Sequence, residues 1–334
     1  MKRIRPVLII LILLISLAGP VSPSRLLTGL LAGFEQGILH PIDSLLNDLT
    51  AVSPRATTEA SPTSSEDRTQ PVSGEMTVHF LDVGQGSAVL FEVNDQVMVF
   101  DGGGRDTTSY VVAYMKKLAI DQVDVLISSH YDADHLNGLV GILHTFPVRQ
   151  VFDADYTTDT RVYQSFKSFI QEQRIPESVP VAGQSFPVGE ALVTFIAPAS
   201  YGHLDENDDS LAIRVEFGQT RFVIMGDSTA DAEQRMLDQD LAADVYYASH
   251  HGSNGSNSIL LLAKVQPDFA VISCGTDNDY GHPGEHALNR IRLTGADLYR
   301  TDQQGTIVAT SDGESIRWDQ EPGNDFTPVN TAIP

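Results

Sequence analysis

Between Met76 and Gln320 short apolar, β-rich runs alternate with stretches of helical period. Apolar positions alternating with polar ones and broken by turns mark strands, whereas apolar positions three and four apart mark helix faces. SYVVAYMKKLAI (109–120) and DAEQRMLDQDLA (231–242) have the second texture, so the pattern predicts one mixed α/β domain over 76–320. Two segments echo each other. SAVLFEVNDQVMVFDGGG, from Ser87, and SLAIRVEFGQTRFVIMGDST, from Ser210, each give an apolar strand, a polar turn, a second apolar strand, and then an acid and a glycine together. A repeat at about 120 residues predicts two related halves, each supplying one sheet, with Asp101 and Asp227 at equivalent points.

Upstream the pattern changes. Lys2, Arg3 and Arg5 precede an apolar core from Val7 to about Ala18, followed by small residues and proline, the pattern of an export signal. That core is shorter than the roughly 20 residues of a spanning helix. Residues 1–24 therefore read as a signal peptide or an uncleaved membrane anchor, with the rest of the chain extracellular or on the cell surface. Residues 25–50 place Leu26, Leu27, Leu30, Leu31, Phe34, Ile38 and Leu39 at helical spacing and read as an amphipathic segment, on a membrane or on the domain. Residues 51–75, rich in Ser, Thr, Pro and acids, read as a disordered linker, and 321–334 as a C-terminal tail.

With 334 residues and 42% hydrophobic content the chain can bury a substantial core. A formal charge of -23 excludes extended nucleic-acid binding through a basic face. It leaves room for an enzyme that meets a phosphodiester through bound cations. The single cysteine, Cys274, excludes an intramolecular disulfide and a cysteine-rich zinc site; within FAVISC it reads as a buried structural thiol.

The chemistry concentrates where VDVLIS runs into SSHYDADHLNG (128–138). The apolar run predicts a buried strand ending near His130, and HLNGLVGIL predicts a helix from about His135. His130, Asp132, Asp134 and His135 then occupy a strand-to-helix loop, where α/β folds place their chemistry. Two pairs of nitrogen and oxygen donors aimed at neighbouring points are what two divalent cations require. A lone His-x-Asp is as well explained by a helix cap and a hydrogen-bonded histidine; the whole cluster is not. Further donors stand at other strand ends: Asp227 in VIMGDST, His250 and His251 after DVYYAS, and His282 after FAVIS. Taken singly, Asp227 reads equally as the cap of a helix beginning around Thr229, and His282 as a turn residue.

The series His130-x-Asp132-x-Asp134-His135, Gly226-Asp227, His250-His251-Gly252-Ser253 and Tyr280-Gly281-His282-Pro283 resembles the metallo-β-lactamase superfamily. With FLDVGQGSAVLF (80–91), it looks like the hydrolase domain of ComEC-type competence proteins, over about Met76 to Trp318. The resemblance implies an α/β, αββα four-layer sandwich with the metal site along one edge of both sheets. It implies two divalent metal ions, Zn²⁺ or Mn²⁺, with His130 and Asp132 on one, Asp134 and His135 on the other, Asp227 bridging, and His282 as a late ligand. One of His250 and His251 would protonate the leaving group and the other would be a ligand, and Asp134 would orient the attacking water. Three positions depart from the pattern: Asp132 stands for a second histidine, Ser87 for an acid, and no histidine occupies the mid-chain position near Asn207 and Ser210, where His203 is the nearest substitute. The implied activity is that of an exported phosphodiesterase or nuclease, with DNA among the candidate substrates. The alternatives are a phosphocholine-type envelope esterase, a lactone hydrolase and a non-catalytic surface domain. No protein partner is predicted, and membrane association is expected only through the N-terminus.

Overall fold

The computed structural model describes residues 72–329; the expected signal or anchor, the amphipathic segment and most of the expected linker lie outside the described residues. Of that linker, Val72 packs against the core, and Ser73 donates through its backbone N–H (2.7 Å) and its hydroxyl (3.0 Å) to the Glu190 carboxylate.

The first sheet contains β1 (Met76–Phe80), β2 (Val89–Val93), β3 (Gln96–Phe100), β4 (Val125–Ile127), β5 (Val151–Phe152) and β6 (Glu177–Ser178). The second contains β7 (Ser185–Val188), β8 (Ala191–Ala197), β9 (Ala212–Phe217), β10 (Thr220–Met225), β11 (Val245–Tyr247), β12 (Phe269–Ile272) and β13 (Asp297–Arg300). The chain then returns to the first sheet with β14 (Ile307–Ser311) and β15 (Ile316–Trp318), giving the orders β15-β14-β1-β2-β3-β4-β5-β6 and β13-β12-β11-β10-β9-β8-β7.

Because side chains alternate along a strand, each sheet has two apolar faces to cover. Val78 and Phe80 of β1, Phe91 of β2, and Ile213, Val215 and Phe217 of β9 meet in the core between the sheets. The other face of the first sheet, with Leu90, Val99 and Leu126, packs on α1 (Thr108–Lys117), α2 (Ala133–Thr145) and α3 (Arg161–Gln173) through Val111, Leu139 and Phe166. The outer face of the second sheet, with Val223, Tyr246 and Ala270, lies against helical segments that follow α4 (Ala230–Arg235), chiefly α5 (Ile259–Val265) and α6 (Glu285–Thr294). The layers are α, β, β, α, as the motif series implied.

The internal echo extends beyond the two hairpins. β1 through β5 are joined antiparallel, antiparallel, parallel, parallel, and β8 through β12 repeat that series. One detail of the expected repeat is corrected. Phe100 pairs with Ile127 and Ile224 with Tyr247, so Asp101 corresponds to Met225 rather than to Asp227. β10 runs one residue longer and Gly226 precedes the acid, which together carry Asp227 two positions beyond the register of Asp101.

Two element boundaries also move. β4 stops at Ile127 and α2 begins at Ala133, so the loop bearing the cluster is tighter at its helical end than expected. The helix predicted over 231–242 ends at Arg235. Met236 and Leu241 are both buried, and Arg214 holds the chain on either side of Leu241 by reaching Ala242 O (3.0 Å) and Asp240 (3.2 Å). Asp238 and Asp240 would also have faced the negative end of a longer helix dipole.

α2 seats directly on the loop after β3. Gly102 N–H donates to His135 O (2.8 Å) and Gly138 N–H to Gly103 O (3.0 Å). A Cβ on Gly138 would lie 1.6 Å from Gly102 O, so only glycine permits this approach. Gly138→Ala is expected to push α2 off its seat and destabilise the domain by about 1–3 kcal/mol or more, read as a lower urea midpoint.

Candidate metal centre

The loop from β4 to α2 is fixed by its serines. Ser128 Oγ donates to His130 O (2.8 Å), and Ser129 donates through its N–H (2.7 Å) and Oγ (2.8 Å) to the fully buried Asp101 carboxylate. The same carboxylate accepts from His135 Nδ1 (2.7 Å). A carboxylate with two N–H or O–H donors already on it fixes the His135 proton on Nδ1 and turns Nε2 inward. Ser129 Oγ directs its O–H to Asp101, so its lone pair accepts from His130 Nδ1 (2.9 Å). His251 Nδ1 donates to the Ser273 carbonyl (3.1 Å).

Three histidines therefore turn their Nε2 atoms toward one space. His130 Nε2 is buried without a hydrogen-bond partner. His135 Nε2 lies 3.2 Å from His251 Nε2 and 3.2 Å from Asp227 Oδ1. Lone pairs facing lone pairs at that separation repel unless a proton or a cation lies between them. The donor set fits divalent metal: ligand atoms of His130, His135 and Asp227 fall within 4.8 Å of one another, and so do those of Asp134, His135 and His251.

Asp132 is the N-cap residue of α2 but makes no side-chain cap bond; its half-exposed carboxylate stands 3.7 Å from His130 Nε2. Asp227 is turned toward the histidines, 3.5 Å from His251 and 3.6 Å from His250, and caps nothing; Thr229 occupies the N-cap of α4. His250 and His251 sit in a turn after β11 with φ of 50° and 52°, followed by Gly252 at 78°. Buried Asn257 holds this left-handed run: its Oδ1 accepts from Ser249 N–H (3.1 Å) and its Nδ2 donates to Ser249 O (3.0 Å) and Ser253 O (3.3 Å). Buried Glu233 on α4 accepts in turn from the N–H groups of Asn257 (2.5 Å) and Ser258 (2.7 Å). His282 lies outside the tight groups, its ring edge-on to His250 at 5.4 Å and its Nδ1 buried without a partner. His203 is engaged by Asp209 (2.5 Å) and joins neither group; Leu211 N–H, next to the buried Ser210, donates to Ser129 O (2.8 Å).

Titration follows the same geometry. Burial opposes the charge on Asp227 and Asp134, yet the facing histidines hold both carboxyls below the ordinary range, Asp227 far below. Burial also opposes the charge on His135 and His251. The carboxylates prevail, raising His135 well above its ordinary value and His251 to about 9. At the rim, burial and neighbouring histidines push His250 down and His282 to about 4. Burial drives the Cys274 thiol up, away from reactivity, as its apolar setting implied.

Asp101, Ser129, Ser273, Asn257 and Glu233 carry the site's orientation without belonging to the expected donor set. Only Asp101 had left a trace in the sequence, as the acid closing the first echo.

The fold and this histidine–aspartate cluster define a metal-binding hydrolase. The chain belongs to the metallo-beta-lactamase superfamily, whose profile matches residues 81–276, more than half of the 334. Within it, the chain is 28% identical over 237 residues to competence protein ComA of Neisseria gonorrhoeae, covering 70% of this chain and 32% of that protein. It is 26% identical over 259 residues to ComE operon protein 3 of Bacillus subtilis, covering 71% and 33%. The chain thus spans about a third of the length of these curated relatives. Among solved structures, the metallo-beta-lactamase fold protein YhfI from Bacillus subtilis is similar at 14% identity and a TM-score of 0.45, over 67% of this chain and 96% of that one.

Asp101→Asn is expected to weaken metal affinity about 10- to 100-fold, measured by competition with a chromophoric chelator. In chelator-treated protein, the raised values of His135 and His251 contribute stability that is complete below about pH 6.5 and lost as pH rises toward 9. Urea midpoints should fall across that window, and His251→Gln should flatten the decline.

Proposed function

We propose that this chain is a metal-dependent phosphodiesterase acting at the cell surface, with His250 as general acid and His251 as ligand. The observation that carries the reading is the difference between these neighbours. His251 is 4% exposed and points Nε2 at His135, Asp134 and Asp227, whereas the His250 ring stands at the rim with a side chain 27% exposed and only Asp227 near its Nε2.

His130, Asp132 and Asp227 would hold one cation, and Asp134, His135, His251 and Asp227 the other. When bound, such cations lower the pKa of a shared water and stabilise charge developing on the attacked centre. The chain's own residues do the remainder. Asp134, fixed at the first turn of α2, orients the attacking water. The Asp227 carboxylate, 3.6 Å from His250 Nε2, favours a proton there against the burial and histidine neighbours that disfavour it. An incoming phosphodiester adds negative charge on the same side, and His250 passes the proton to the departing oxygen.

The export pattern of residues 1–24 supports the surface location, and the competence proteins named above support DNA as a candidate substrate.

The purified chain is expected to bind about two Zn²⁺ or Mn²⁺ and to cleave bis(p-nitrophenyl) phosphate. His250→Ala should lower kcat by about 10²- to 10⁴-fold with metal content intact, and His251→Ala should lose metal as well. Full metal content with turnover only of lactones or phosphocholine esters would overturn the phosphodiester assignment.

A further inference from the structure

The loop between β12 and α6 carries an aromatic side chain that the proposed chemistry does not use. Tyr280 is 71% exposed, and its ring stacks on His282 at a centroid distance of 5.8 Å and an interplanar angle of 23°. His282 faces His250, whose Nε2 is 3.6 Å from Asp227, so an unbroken series of rings leads from the metal cluster to solvent.

The loop is rigidly held. Asn278 Oδ1 accepts from His282 N–H (2.9 Å), and its Nδ2 donates to Gly275 O (2.8 Å) and His282 O (2.5 Å). Gly284 N–H donates to Gly252 O (2.9 Å), tying the loop to the turn that bears His250 and His251. A large apolar ring held in solvent gains nothing from burial, but it offers a preorganised face at low entropic cost.

We propose that Tyr280 is the stacking platform of the site, and that its substrate is a phosphodiester carrying an unpaired nucleobase. This rests on the phosphodiesterase reading above. His282 lies against one side of the ring in an offset stack and most of the ring stays exposed, so a flat base can continue the stack. A quaternary ammonium group would instead call for several aromatic faces around it. The neighbouring Asp277, Asp279 and Glu285 are exposed acids, and the chain carries -23 overall, so this rim repels phosphates rather than gathering them. Affinity at such a rim comes from the base, and a base within a duplex has no free face to give.

The test uses the metal-loaded full chain and the fluorescence anisotropy of a labelled short oligothymidylate with phosphorothioate linkages, beside an abasic strand of equal length and linkage. The wild type is expected to prefer the base-bearing strand by about 5- to 100-fold. Tyr280→Ala should abolish the preference, and Tyr280→Phe should keep it. Equal binding of the two strands, a preference that survives Tyr280→Ala, or competition by phosphocholine but not by thymidine monophosphate would each overturn the proposal. Wild-type hydrolysis of methyl p-nitrophenyl phosphate, which has no base, reads the underlying activity separately. Preference for the base without such hydrolysis would leave the platform standing and the phosphodiesterase reading fallen.

Discussion

The Asp101 carboxylate is the constraint on which the centre depends. Fully buried and at φ 58°, it takes hydrogen bonds from Ser129 N–H, Ser129 Oγ and His135 Nδ1. Burying a carboxylate is costly unless its lone pairs are satisfied, and here each bond also performs a second task. The two from Ser129 draw the loop after β4 onto the loop after β3, and the third turns the His135 ring. Through the shared hydroxyl, Asp101 also sets the tautomer of His130 without touching it. A single anion thereby decides where two inward nitrogen lone pairs point.

The repeated halves explain why the other ligands arrive at the same place. β4 and β11 occupy corresponding positions, each parallel to the second strand of its hairpin, so SSH after one and SHH after the other leave equivalent sheet edges. The halves then diverge according to task. The first continues into α2, whose opening turn supplies Asp134 and His135. The second makes the left-handed turn that separates His250 from His251. Non-glycine residues in that region cost about 1–3 kcal/mol each, and the hydrogen bonds of Asn257 and Glu233, buried behind the turn, hold the conformation.

Much of this was legible from residue order. Alternation gave both hairpins, the motif series implied the sandwich, and the crowding of His130, Asp132, Asp134 and His135 marked the loop. What escaped detection depends on register and on contacts distant in sequence. The correspondence of Asp101 with Met225 follows from strand pairing, which one more strand residue and the interposed Gly226 shift without altering composition. The division between His250 and His251 was closed to sequence because adjacent residues differ there only through two positive φ values. Asn257 and Glu233 carry no motif at all; a buried Asn or Glu resembles any surface residue until its partners are known. The helix expected over 231–242 failed for the same reason, since Arg214, distant in the chain, holds the segment in place of a further helical turn.

The overall charge bears on how such a centre tolerates its own acids. Asp134 and Asp227 are ionised against burial because His135 and His251 are protonated against burial, so each pair sustains the other. Exchanging those protons for divalent cations preserves the balance while freeing the imidazole lone pairs as ligands. The excess of acids elsewhere on the chain reinforces that exchange, because a negative surface lowers the electrostatic cost of concentrating cations at the cluster. The same surface disfavours a polyanion except where cations meet it, which confines productive contact with a phosphodiester to the cluster itself. On the phosphodiesterase reading proposed above, the acidity and the metal chemistry would act together: the surface would exclude the substrate's backbone broadly, and the centre would admit it at one point.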